Sequence, residues 1–264
     1  MLKTRIIPIL LLQQNFLVKS VNFSRYQAIG NPFEEVKRFS QWQVDELIYL
    51  NIDKDNSLDN IDIGNPDRNI SNFLSKYDLI KEINKYCFMP LSWGGNIKTI
   101  NDVENILKNG ADKVSINSEA FKNPELIIES ARRFGAQAII VSIDVKKKNN
   151  KYYVYIGGGK INTNVELEDY LKHINLLNIG EILIQNIDRD GVQKGYDLDL
   201  LELMLSKSKK PFIACSGVGE YRHLLEAAKM GVRALAAANI WHFKELVDKN
   251  IKKMMIEANI DIRL

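Results

Sequence analysis

The chain has only 2 cysteines and 3 histidines in 264 residues. Two cysteines cannot build a disulfide framework, so a reducing cytoplasm is the expected setting. Charge of one sign is also missing: 36 basic against 33 acidic residues leave a net +3, which makes no case for nucleic acid. The short basic runs Lys146–Lys148 and Lys207–Lys210 around Ser208 read as solvated loops. No uninterrupted apolar run approaches the ~20 residues that cross a membrane. Lys3 and Arg5 ahead of Ile6–Leu12 imitate a signal peptide, but Pro8 interrupts the run and no small-residue cleavage site follows, so it reads as a strand. No metal and no cofactor are expected. What remains is an ordinary globular composition, 45% apolar, at a length that fits one large α/β barrel or two smaller domains.

What the chain does have is a repeated motif. Glu46 leads through Leu47–Leu50 into Asn51-Ile52-Asp53-Lys54-Asp55, and Glu181 leads through Ile182–Gln185 into Asn186-Ile187-Asp188-Arg189-Asp190, 135 positions later. A short β-rich run ending in polar turn formers reads as a buried parallel strand whose carboxyl end opens onto a loop. Apolar runs of this kind begin near Ile6, Leu47, Met89, Val114, Ala138, Ile182, Phe212 and Ala234. Amphipathic stretches at Asn101–Lys108, Pro124–Phe134, Leu167–Leu177 and Tyr221–Met230 fall between them. Eight strands alternating with helices predict an α/β fold, the TIM (β/α)8 barrel, as a single domain over residues 1–264.

The repetition goes further. Gly95 to Asn117 and Gly217 to Asn239 both span 22 residues, each from a glycine turn to a polar residue that ends the next strand. Ile9–Gln13 matches Ser142–Lys146, and each is followed by a β-rich ribbon, Phe16–Lys19 or Tyr152–Ile156. Two fused (β/α)4 half-barrels are therefore expected. The Asp- and Asn-rich stretch from Asp53 to about Ile70 breaks the symmetry and reads either as a substrate lid or as a surface insertion.

Glycine turns after strands let backbone N–H groups approach an anion. Gly94-Gly95-Asn96 with Asn117-Ser118, and Gly217-Val218-Gly219 with Ala238-Asn239, supply this twice, which suits a substrate phosphorylated at both ends; tight βα turns need glycine in any case. Gly157-Gly158-Gly159-Lys160 lacks the spacing of a nucleotide loop and reads as a flexible loop after strand five. Asp144 ends an apolar strand and is a candidate general acid or base. Asp190 reads as phosphate positioning or a turn, and the repeat predicts an acid opposite Asp144 where the chain has Leu11. Arg5, Glu46, Lys113 and Glu181 each precede an apolar run, so two cations and two anions should ring the amino-terminal mouth and pair there.

The runs R-I-I-P at Arg5, D-E-L at Asp45, G-A-D-K-V-S-I-N at Gly110, I-D-R-D-G at Ile187, G-Y-D at Gly195 and W-H-F at Trp241 resemble the cyclase-subunit family of imidazole glycerol phosphate synthase, essentially end to end. The resemblance implies a (β/α)8 barrel that forms a heterodimer with a glutaminase subunit. Ammonia would enter through the charged gate (Arg5, Glu46, Lys113, Glu181). It would close an imidazole ring on a bis-phosphorylated aminoimidazole carboxamide ribonucleotide and release the carboxamide nucleotide. Carried over by position, the catalytic residues are Asp144 and Lys19. The phosphate-binding residues are Gly95, Asn96, Asn117, Ser118, Asp190, Gly191, Gly217 and Asn239, with Asp112 at the partner face and Gln137 in the core. The first catalytic aspartate falls on Leu11, and Gln185 stands where a small hydroxyl residue is expected. Divergent relatives suggest a second role, amidine formation on a nucleotide-linked surface sugar. A sugar-phosphate isomerase of the sister barrels and a silent barrel that only activates the glutaminase complete the readings.

Overall fold

The computed structural model describes residues 3–14, 16–42, 44–53, 61–62, 75–244 and 246–263. Most of the stretch from Asp53 to Ile70, with its lid-or-insertion reading, lies outside these residues. Eight strands form the frame: β1 (Arg5–Gln13), β2 (Leu47–Asn51), β3 (Leu91–Gly94), β4 (Lys113–Ile116), β5 (Ile139–Lys148), β6 (Glu181–Asn186), β7 (Phe212–Cys215) and β8 (Ala234–Ala237). Each pairs in parallel with the next, and β1 pairs back with β8 through Arg5↔Ala234 to Pro8↔Ala237, so the sheet closes on itself. All eight expected strands are present, and the fold is the TIM (β/α)8 barrel.

Closure explains why the strands read as continuous apolar runs rather than alternating ones. One face meets the barrel interior and the other the helices, so both are dry. The interior face carries Ile7, Ile9 and Leu11 of β1 with Ile48, Ile140, Leu183, Ile213, Ala234 and Ala236. The opposite face packs on the helical layer through Ile6, Leu10, Trp93, Val141, Ile184 and Leu235. Helices form at Ile100–Lys108, Pro124–Phe134, Leu167–Ile174 and Tyr221–Met230, where the amphipathic stretches lie. Thr99 starts the first of these with a reciprocal capping box to Asp102.

Two antiparallel ribbons rise from the carboxyl rim. Phe16–Val21 with Arg25–Gly30 continues β1, and Lys151–Ile156 with Ile161–Glu166 continues β5. The loop expected at Gly157–Lys160 is the tight turn of the second ribbon, with φ of +63°, +66° and +74° at its three glycines. The twin motifs adopt the same turn at each site. Asn51 Oδ1 accepts from the Asp53 N–H at 2.8 Å, and Asn186 Oδ1 from the Asp188 N–H at 2.9 Å. Gln137 departs from expectation: it lies on a single 3-10 turn, Ala136–Ala138, before β5 and is exposed rather than in the core. The strand that would bury it begins only at Ile139.

Candidate functional site

The amino-terminal end is closed by charge. Arg5 Nη1 sits 2.5 Å from Glu46 Oε1, and its other terminal nitrogen pairs with Glu181. Lys113 Nζ bridges the same two carboxylates at 3.3 and 2.9 Å. Each acid thus meets both cations, which is the condition under which buried charge is tolerated. Burial alone would push the Glu181 carboxyl up, but Arg5 and Lys113 outweigh it and hold it below the usual carboxylate range. Burial likewise opposes the charge of Arg5, and its carboxylate partners outweigh it and raise its pKa. Beside the ring Asp45 accepts from the Ile6 N–H at 2.8 Å and from Lys252 at 3.2 Å. Asp112 is exposed at this end, and its carboxylate accepts from the Leu91 N–H at 2.8 Å. Arg263 adds a long fifth contact, 3.9 Å to Glu46.

The carboxyl end opens instead into a cavity of about 420 Å³. Its floor is built from the last inward positions of the strands: Leu11, Leu50, Ser115, Ser142, Asp144, Gln185 and Cys215. β5 and β6 run in register with Asp144 beside Gln185, whose Nε2 donates to Asp144 Oδ1 at 3.1 Å. That neutral donor, with Asn117, only partly offsets burial. The Asp144 carboxyl is raised to about 7, with Asp190 adding a like charge. A carboxyl so poised can both donate and accept a proton near neutral pH. Facing it across the floor is an apolar wall of Leu11, Leu50 and Ile52. Cys215 also lines the cavity, but burial raises its thiol to about 12, so it is not a thiolate.

The two glycine-turn regions differ. On the first, Gly95 lies at φ +99° so close to Asn51 that a Cβ would stand 1.8 Å from its carbonyl oxygen, a position only glycine fills. Gly95, Asn96, Asn117 and Ser118 all line the cavity. Asn96 is held by its Nδ2 donating to the Asp53 carbonyl at 2.9 Å, and Ser118 Oγ accepts from the Gly157 N–H at 2.9 Å. Gly157, Gly158 and Lys160 thereby join the lining with Lys98 and Lys122. Sequence reasoning missed these lysines, because their convergence depends on three separate loops.

On the second, Gly191, Gly217 and Asn239 stand outside the cavity lining. The ribbon after β1 occupies this side. Ser20 Oγ donates to Asp190 at 2.6 Å, the Phe23 N–H donates to the same carboxylate at 3.2 Å, and Asn239 Nδ2 donates to the Ser20 carbonyl at 3.3 Å. Asp190 therefore ties a loop, and burial raises its pKa. At the start of Tyr221–Met230, His223 Nδ1 accepts from the Gly219 and Glu220 N–H groups, both at 3.2 Å. Lys19 stands apart from the cavity too; its Nζ lies 5.2 Å from the Phe243 ring centre.

Comparison with known proteins bears on this layout. The family described as histidine biosynthesis protein matches residues 5–247. Proteins named imidazole glycerol phosphate synthase subunit HisF are 38% identical in Hydrogenobaculum and 36% identical in Natranaerobius thermophilus, over 100% of both chains in each case. A third of the same name, from Dictyoglomus thermophilum, is 38% identical over equal coverage. The chain belongs to the HisF family. The charged ring stands at one end of the barrel and Asp144 with the first glycine-turn region at the other, where the side facing Asp144 presents Leu11, with Asp53 just beyond β2 as the acid of that side. Among the described residues, no helix is long and apolar enough to cross a membrane.

Proposed function

We propose that this chain is the synthase subunit of a two-chain glutamine amidotransferase. It would take up ammonia released by a glutaminase docked on the amino-terminal face, beside Asp112, and join it to a phosphorylated small molecule at the carboxyl mouth. The observation that carries the reading is the pairing of a complete four-charge ring at one end with a raised carboxyl, Asp144, on the cavity floor at the other. Rearrangement of Arg5, Glu46, Lys113 and Glu181 would admit ammonia to the core. Asp144 would exchange the protons of amine attack, and Gly95, Asn96, Asn117 and Ser118 would seat a phosphate. For Lys19, Asp190, Gly191, Gly217 and Asn239 the family roles would require the ribbon after β1 to reposition on substrate binding. A reducing cytoplasm suits the free Cys87 and Cys215.

Leu11 and Gln185 favour a second reading for the acceptor. Loss of a proton-transferring acid typically lowers a rate by ~10²–10⁴. Imidazole glycerol phosphate formation should accordingly be weak, with ammonia passing to another acceptor such as a nucleotide-linked sugar. The deciding assay supplies the bis-phosphorylated aminoimidazole carboxamide ribonucleotide with saturating ammonium, which bypasses the glutaminase. Turnover equal to that of an active relative establishes the cyclase reaction and removes the second reading. Absence of turnover, with glutamine hydrolysis by the partner still stimulated, supports it. No turnover with any acceptor alongside that stimulation would leave a barrel that only activates its glutaminase.

A further inference from the structure

Among the described residues, four acids line the cavity at the carboxyl mouth: Asp53, Glu119, Asp144 and Asp190. Two of them are engaged elsewhere. Glu119 lies on the short helix Ser118–Lys122 with Lys122 at 3.7 Å, and Asp190 ties the ribbon after β1 through Ser20 and Phe23. Asp144 stands on the floor within β5. Asp53 stands just beyond β2, the neighbour of β1 and three strands round the barrel from β5.

Asp53 is fixed from three directions. Its N–H donates to Asn51 Oδ1 at 2.8 Å, its carbonyl accepts from Asn96 Nδ2 at 2.9 Å, and its Oδ1 accepts from the Gln14 N–H at 2.6 Å. Gln14 presents that N–H from φ +50°, a conformation uncommon outside glycine. The twin motif repeats the clasp, since Asp188 Oδ2 accepts from the Lys147 N–H at 3.2 Å. Gln14 and Lys147 each lie three residues past the paired positions Leu11 and Asp144. Asp188, however, is exposed and outside the cavity lining, whereas Asp53 is half-buried within it. Burial raises the Asp53 carboxyl above its ordinary range against hydrogen bonds from Gln14 and Asn51, and it forms no ion pair among the described residues.

We infer that Asp53 is the second proton-exchanging acid of the mouth, standing in for the acid that the internal repeat places at Leu11. This rests on the amidotransferase reading for the reaction. When ammonia adds to a carbonyl carbon, a C–N bond forms, the C=O bond breaks, and two protons pass from nitrogen to the oxygen that leaves as water. An ionised carboxyl takes a proton from nitrogen while a second, protonated, gives one to oxygen. The other transfer runs with the roles exchanged and returns both acids to their starting state. Asp53 stands on the next strand and past the level of Leu11, so the bis-phosphorylated aminoimidazole carboxamide ribonucleotide is expected to react slowly rather than not at all.

Asp53→Asn in the full chain, assayed with that ribonucleotide and saturating ammonium, tests the inference. Asparagine keeps an acceptor for the Gln14 N–H but cannot exchange the proton. The kcat should fall by ~10²-fold or more with KM within about threefold. Asp188→Asn, which alters the twin clasp outside the cavity, should stay within about threefold of wild type on both. Calorimetry of ribonucleotide binding, in buffers of different ionisation enthalpy, reads the same acid without turnover: wild type should exchange protons on binding and Asp53→Asn fewer. Unchanged kcat in Asp53→Asn or an equal loss in Asp188→Asn would overturn the inference. Where wild type makes no product, absent binding or equal proton exchange by the two proteins overturns it as well. Stimulation of a glutaminase is measured separately on the same variants. Asp53-dependent use of free ammonium without that stimulation sinks the two-chain reading and leaves the second acid standing; stimulation with no dependence on Asp53 does the reverse.

Discussion

The two ends of the barrel handle buried acids in opposite ways. At the amino-terminal end Glu46 and Glu181 each meet Arg5 and Lys113, and Glu181 is held ionised below its ordinary range. At the carboxyl end Asp144 meets an amide, a serine-rich floor and an apolar wall, and rises to about 7. Burial acts in the same direction at both ends; the presence of cations decides the outcome. The ends therefore answer pH with opposite signs. Glu181 contributes stability that is present above its unfolded pKa and lost as pH falls through its lower folded value. Asp144 has a raised folded value, so stability declines as pH climbs from about 4 to about 7 and then levels.

The largest effect should come from removing the acid on the cavity floor. Asp144→Asn keeps the shape and still accepts from Gln185, but cannot exchange a proton. Ammonium-dependent turnover should fall by ~10²–10⁴, and the inflection near pH 7 in the wild-type profile should vanish. Thermal melts at pH 8 should show the variant no less stable than wild type, since it no longer carries a carboxylate in a dry site. A drop in melting temperature with unchanged turnover would make Asp144 a structural residue.

Next in size is an attempt to give the apolar wall a charge. Leu11 is buried among Ile9, Leu50 and Val18. Leu11→Asp should lower stability by a few kcal/mol at pH 8, less at pH 5 where the new acid is neutral. It should not restore cyclase turnover, because Gln185 still caps Asp144. Denaturant titration at the two pH values measures the first claim, and the ribonucleotide assay the second.

At the charged end, Lys113→Ala leaves two carboxylates sharing Arg5. Breaking a buried pair by deleting one partner costs ~3–5 kcal/mol when fully buried; here the lysine is 20% exposed and Arg5 remains, so about 1–2 kcal/mol is expected. The functional reading is sharper. Product formation with glutamine should fall well below that with ammonium, because the gate no longer couples the two subunits. Equal loss with both nitrogen sources would separate Lys113 from ammonia entry.

How much of this was legible beforehand depends on whether neighbours in space are also neighbours in sequence. The strands and the Asn51 and Asn186 turns were readable because each is a local pattern, an apolar run or an Asx side chain bonding two residues on. The charged ring was readable because its members occupy the same depth on four strands, a register set by barrel closure. The lysines of the mouth were not, since Lys98, Lys122 and Lys160 come from three separate connections, and Lys160 reaches the cavity through a ribbon turn that Ser118 anchors. Gln137 misled for a related reason: its identity matches the family, but its burial depends on where β5 begins.

The smallest prediction concerns the closed side. Ser20 Oγ donates to Asp190 at 2.6 Å, and Ser20 is itself buried. Ser20→Ala removes one charge-assisted bond while the Phe23 N–H still donates to the same carboxylate. The loss should be about 1 kcal/mol, below the usual range for a hydrogen bond to a charged group because the acceptor keeps a partner. If the ribbon after β1 keeps this side shut, the substitution should loosen it without touching the lysine side. Affinity for ribose 5-phosphate should stay unchanged, while affinity for ribulose 1,5-bisphosphate rises as the second glycine turn becomes reachable. A rise for the bisphosphate alone would identify the ribbon as what closes the second glycine turn. Equal affinities after the change would mean that His223, which holds the Gly219 and Glu220 N–H groups, closes that turn independently of the ribbon.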